Sequence, residues 1–169
     1  DGAGDEGGGG DRSEAPVAET ELTTPPELSD PKEVLAAVAE SIVFIETPLA
    51  TGSGIVVADG FVLTNAHVPD PLTMVDVTFG DGTTATDVPV AGTDLLGDLA
   101  LIGPLDEATD VAALDLTDEL PEKGDDVFLV GYPGEVDEAP EVTISKGIVS
   151  RIRDDDDFDL SYIQTDAAI

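Results

Sequence analysis

An all-β fold, barrel or sandwich, is the expectation from this sequence, on three observations. β-Branched runs recur at intervals of about ten residues. Asp-Gly pairs fall between two sets of them, and helical periodicity is confined to one short segment.

Residues 1–30 stand apart from the rest of the chain. They are rich in Gly, Pro, Glu and Asp and hold no aromatic side chain, so they cannot bury enough apolar surface to offset the entropy of ordering; they read as a flexible acidic tether. Asp30 can cap, and Pro31 can open, a short helix over KEVLAAVAE, where Val34, Leu35 and Val38 share one face. SIVFIET then begins the strands. GIVVADGFVLT reads as two strands joined through Asp59-Gly60, and VDVTFGDGTTATDVPVAG as a hairpin whose Asp81-Gly82 suits positive φ. LALIG, DDVFLVGYPG, EVTISKGIVSRIR and LSYIQTD supply the later strands, and Asp115 to Gly124 is a loop between the two sets. The expected organisation is a tether over 1–30, a short helix and a first barrel over 31–114, and a connecting loop with a second, smaller β unit over 115–169.

Composition excludes several function classes. The chain has 169 residues, 41% of them hydrophobic, enough for a substantial core. Its 38 acidic and 6 basic side chains give a formal net charge of -32, which repels phosphate backbones and anionic lipid, so no nucleic acid or membrane-surface partner is expected. Such self-repulsion is relieved by counterions, and a high-salt environment is the expectation. Without cysteine there is no disulfide, no thiolate metal site and no cysteine nucleophile. No apolar run reaches about 18 residues, so no membrane-spanning helix is expected. No metal site and no cofactor are expected either.

FVLTNAHV, Phe61 to Val68, holds the sole histidine of the chain. Phe61 to Leu63 reads as a buried strand, and the small or turn-prone Thr64, Asn65 and Ala66 would present His67 at its end, where a rigid scaffold places reactive groups. One imidazole cannot build a multi-histidine zinc site. It can act as a general base if an acid orients one ring nitrogen and a nucleophile lies near the other; the alternative is a structural histidine at a strand end.

Four segments in order, GSGIVVADGFVLTNAHV (52–68), TDLLGDLALI (93–102), TISKGIVSRI (143–152) and YIQTDAAI (162–169), resemble the trypsin-like serine peptidases of the HtrA/Deg group. The resemblance implies a chymotrypsin/trypsin-like double antiparallel β-barrel with catalytic groups in the cleft between the barrels, the second barrel being incomplete here at the C-terminus. It makes His67 the general base and Asp98, immediately before Leu-Ala-Leu, the acid that orients it. Asp94 is the nearest competitor. By composition alone Asp98 would be one surface carboxylate among 38.

In that family YIQTDAAI runs into an Asn-Pro-Gly-Asn-Ser-Gly-Gly-Pro motif carrying the nucleophilic serine and the oxyanion-hole amides. The sequence stops at Ile169, so the expectation is a fragment of a longer protein, inactive as given. No other serine fills the role: Ser53, in TGSGI, precedes a strand where a nucleophile elbow would open a helix, and Ser145, Ser150 and Ser161 lie in predicted strands. The Asp154 to Asp159 run lacks the glycine and glutamate of an EF-hand and reads as a solvated hairpin tip, and the Gly131-Tyr132-Pro133-Gly134 turn as structural. Family spacing places Ala168 and Ile169 at the base of the pocket for the residue before the scissile bond.

The resemblance thus implies an extracytoplasmic serine endopeptidase, secreted, periplasmic or tethered to the envelope, engaged in protein quality control on unfolded or exposed peptide segments. It leaves room for a homo-oligomer of the full-length protein. The alternative is a protease-like module that captures peptide strands by edge addition and performs no chemistry.

Overall fold

The structure, a computed structural model, describes residues 30–133, 141–155 and 160–168. Nearly all of the expected tether, Gly134 of the Tyr132-Pro133 turn, residues 156–159 of the acidic hairpin tip, and Ile169 lie outside the described residues.

The chain enters through α1 (Pro31–Val38), where the Asp30 side chain accepts the Lys32 amide at 2.8 Å and Pro31 occupies the first turn. Val34, Leu35 and Val38 are half-buried, so the face read from the sequence is the packed one, although no residue of the helix is fully covered.

Six strands follow: β1 (Ile42–Glu46), β2 (Thr51–Val57), β3 (Phe61–Thr64), β4 (Met74–Thr78), β5 (Thr84–Asp94) and β6 (Leu99–Ile102). All neighbours are antiparallel, in the order β1-β2-β3-β6-β5-β4, and pairing of β1 with β4 closes the sheet into a barrel, which leaves no exposed edge. The expected turns carry the expected backbone: Asp59 and Gly60, at φ 62° and 73°, join β2 to β3, and Gly82, at φ 88°, lies between β4 and β5. Val43, Ile45, Val56, Val62, Val77 and Ile102 fill the barrel at 1% exposure or less; each such side chain contributes about 1.5–3 kcal/mol relative to leaving it in water. β3 departs from a wholly buried strand. Val62 and Thr64 are buried while Phe61 and Leu63 are half-covered, the alternation of a sheet with one face inward.

Residues 113–124 run without strand or α-helix and begin against the barrel through Leu114 N–H to Val56 O at 2.9 Å. A second antiparallel sheet follows, β7 (Asp126–Gly131), β8 (Thr143–Asp155) and β9 (Leu160–Thr165), in sequential order. It is a partial counterpart of the first barrel, and the described residues are all-β apart from α1 and short 3-10 turns. Among the described residues no helix is long and apolar enough to cross a membrane.

Contacts from Ser53 and Phe44 join the sheets. Ser53 Oγ on β2 accepts the Tyr132 amide at 2.8 Å, just past β7, and the Tyr132 ring meets Phe44 of β1 edge to face at 5.6 Å.

Candidate active site

Strand register brings His67 and Asp98 together. β3 pairs with β6 so that Thr64 stands opposite Ala100; three residues beyond Thr64 and two residues before Ala100 the chain emerges at the same end of the barrel. His67 Nδ1 lies 2.8 Å from Asp98 Oδ2. The His67 backbone N–H donates to Asp98 Oδ1 at 3.0 Å, so one carboxylate grips both main chain and ring of the same residue. Asn65 adds a third donor: its Nδ2 is 3.2 Å from Asp98 Oδ2 and 3.2 Å from the Asp98 carbonyl oxygen.

These hydrogen bonds hold the Asp98 carboxyl below the usual carboxylate range, the His67 amide first and the His67 ring second, against a smaller opposing effect of desolvation. The side chains are open to solvent, 71% exposed for His67 and 45% for Asp98. An exposed pair of this kind contributes little to stability; what it sets is orientation. With Nδ1–H donated to Asp98, Nε2 carries the lone pair and can take a proton.

The backbone that presents Asp98 is unusual. Asp98 sits at φ 52°, a left-handed conformation that few non-glycine residues adopt, Asp and Asn being among the tolerant ones. Asp94, the competing acid, serves the turn instead. Its Oδ1 accepts the amides of Leu96 at 3.0 Å and Gly97 at 3.1 Å, folding the turn that ends at Asp98. On the histidine side, Gly52 allows close packing. A Cβ there would stand 2.6 Å from Val68 Cγ2, so the residue after His67 can lie directly on β2 only because position 52 lacks a side chain.

His67 lines an open cleft of about 500 Å³ between the two sheets, with Ser53, Gly131, Tyr132, Ser145 and Ala168 on its other walls. The segment bearing Ala168 is set over β8 by the Ile148 amide, which donates to Asp166 Oδ1 at 2.8 Å, and by Ala167 N–H to Thr165 Oγ1 at 3.0 Å. Ile169, the other residue expected at the pocket base, lies outside the described residues. A larger hollow of about 820 Å³, with Phe79, Val111 and Tyr132 beside Glu40, Asp81 and Glu107, contains neither His67 nor Asp98. Chemistry, and not size, picks the smaller cleft. Among the described residues no group of three or more His, Asp or Glu side chains is placed to hold a metal ion.

Sequence reasoning did not single out Asn65 or the Ser53–Tyr132 contact. Asn65 carried a signal, a side-chain amide two residues from the histidine. The Ser53–Tyr132 contact spans 79 residues and carried none.

Known proteins resemble this chain in sequence and in fold. Residues 52–169 match the trypsin-like peptidase domain. The chain is 39% identical over 127 residues to HhoA of Synechocystis sp., an alignment covering 70% of this chain and 31% of that protein. It is 34% identical over 128 residues to the periplasmic serine endoprotease DegP of Salmonella typhimurium, covering 72% and 26% respectively. Among solved structures, the serine endoprotease from Yersinia pestis superimposes with a TM-score of 0.67 at 26% identity, over 83% of this chain and 50% of that one. The chain thus spans under a third of the length of these two curated relatives. It belongs to the trypsin-like peptidase family and aligns with that family's HtrA/Deg members.

Proposed function

We propose that the full-length protein is a serine endopeptidase of the HtrA/Deg type that cleaves unfolded or exposed peptide segments, with His67 as general base, Asp98 as its orienting acid, and a serine outside residues 1–169 as nucleophile. The observation that carries this reading is the 2.8 Å contact between His67 Nδ1 and Asp98 Oδ2 at the mouth of a cleft between two β sheets. In this mechanism Nε2 takes the serine hydroxyl proton as the oxygen bonds to the scissile carbonyl carbon. The imidazolium, stabilised by Asp98, then returns that proton to the leaving amine nitrogen. Water repeats the sequence on the resulting ester and releases the acid product.

Ala168 faces the same cleft, which supports the assignment of Ala168 and Ile169 to the base of the pocket for the residue before the scissile bond. Neither carries a charge. The two units divide at 114/115 in this account, the closed barrel on one side of the cleft and the three-stranded sheet on the other. A net charge of -32 supports work in high salt, where counterions screen the repulsion, and the DegP relative, described as periplasmic, supports an extracytoplasmic location; cleavage of unfolded segments there would serve protein quality control. Casein hydrolysis tests the reading: the full-length protein should cleave it, and His67→Ala should abolish most of the turnover. Unchanged turnover in that variant would remove His67 from the mechanism.

A further inference from the structure

Three features outside the His67–Asp98 pair stand out: the acidic hollow around Phe79 and Tyr132, the buried Ser145 hydroxyl in the cleft wall, and the Asn65 side chain. The last carries an inference furthest. Asn65 Nδ2 is 3.2 Å from two oxygens of one residue, the carbonyl and Oδ2 of Asp98. A single donor group therefore ties the main chain of Asp98 to its carboxylate. Asp98 is the residue that needs such a tie, since it is held at φ 52° by the turn it terminates, and an extended or right-handed conformation there would swing the carboxylate away from the ring. Oδ2 is also the oxygen that receives His67 Nδ1. Occupying it from a second direction restricts rotation of the carboxylate about its own axis.

The geometry points to Asn65 as a positioning residue: its amide locks the left-handed Asp98 so that Oδ2 faces Nδ1 of His67, and thereby holds the imidazole in the tautomer whose Nε2 is free to accept a proton. The assignment rests on the reading of His67 as general base, but it makes a physical claim about tautomer that can be read without turnover. Both oxygens facing Nδ2 are acceptors, so the amide must present its NH2 here, and a carbonyl in that position would meet them acceptor to acceptor. Asn65 is exposed, so replacing it opens no cavity in the barrel.

The test uses two variants. Asn65→Ala removes the donor; Asn65→Asp keeps the shape and, when ionised, turns the donor into an acceptor. His67 is the sole histidine of this chain, so its ring nitrogens can be read by 15N NMR at neutral pH without assignment ambiguity. The native chain should show one tautomer, protonated at Nδ1, and both variants should show mixed tautomers with unchanged barrel signals. In the full-length protein both should lower kcat by about 10- to 100-fold, the scale of a small misplacement of a catalytic group, with KM within about twofold. A single Nδ1–H tautomer in both variants, or native turnover in Asn65→Asp, would overturn the assignment. A tautomer shift with no loss of activity in His67→Ala would instead retain the positioning role and remove the peptidase reading.

Discussion

Asp98→Asn changes one atom of the candidate site, and its consequence follows from the three donors around the carboxylate. Asparagine offers one oxygen and one NH2. If the oxygen stays at the Oδ1 position, it keeps the His67 amide at 3.0 Å, and the NH2 then faces His67 Nδ1 at 2.8 Å and Asn65 Nδ2 at 3.2 Å. Nδ1 must become the acceptor, the ring proton moves to Nε2, and the nitrogen that should take the serine proton is blocked. If the amide flips, its NH2 meets the His67 N–H donor to donor, which is worse because a backbone amide has no second tautomer. Turnover by the full-length protein at neutral pH should fall about 10⁴-fold, the scale of wrong-tautomer triads, while the melting temperature hardly changes because the pair is exposed. Acid gives a related check. The folded carboxyl titrates below its usual range, so its contribution to stability is present above the unfolded pKa and is lost as pH falls through the folded value. The Asp98 carboxyl carbon should therefore report a midpoint lower than that of an aspartate in the denatured chain. Turnover of Asp98→Asn within tenfold of native would refute the orienting role.

Three further outcomes follow from the same geometry. Raising KCl from 0.1 to 1 M shortens the screening length from about 10 to about 3 Å, so the melting temperature of the full-length protein should climb; a flat or falling curve rejects adaptation to salt. Ser53→Ala removes the acceptor of the Tyr132 amide at the junction of the sheets, at a cost of about 1–2 kcal/mol, and should lower the melting temperature by about 2–8 °C; no change would mean that the sheets are held together elsewhere. A peptide-library profile in high salt should favour alanine or valine before the scissile bond, because a lysine or arginine would find no counter-ion at Ala168 or Ile169. Predominant cleavage after basic residues would show a differently built pocket.

Local chemistry made much of the fold legible. Asp59-Gly60 and Asp81-Gly82 announced their turns, in which Asp59, Gly60 and Gly82 adopt positive φ, and the apolar run Ile42–Ile45 announced a strand that is buried up to its exposed last residue, Glu46. Asp30 and Pro31 announced α1 in the same way. Neither the closure of β1 onto β4 nor the register that sets Thr64 opposite Ala100 can be read locally, since both are choices among many long-range pairings. The site divides along the same line. His67 was conspicuous as a lone imidazole behind a strand, whereas Asp98 was selected among 38 acidic residues only through resemblance. Its left-handed backbone, the turn that Asp94 folds ahead of it and the brace from Asn65 all depend on how the β5–β6 connection lies against the end of β3. Ser53 was expected just ahead of a strand and lies within β2 instead; its contact with Tyr132 needs the second sheet in place.

The central claim, that His67 activates a serine, is tested most directly by covalent labelling. A fluorophosphonate reacts with a serine hydroxyl whose proton is taken by a neighbouring base, so the full-length protein should acquire a single adduct on a serine outside residues 1–169, mapped by peptide mass spectrometry. His67→Ala should lose that adduct while keeping the native melting curve. An adduct that forms equally well in His67→Ala, or none in the native protein, would contradict the account.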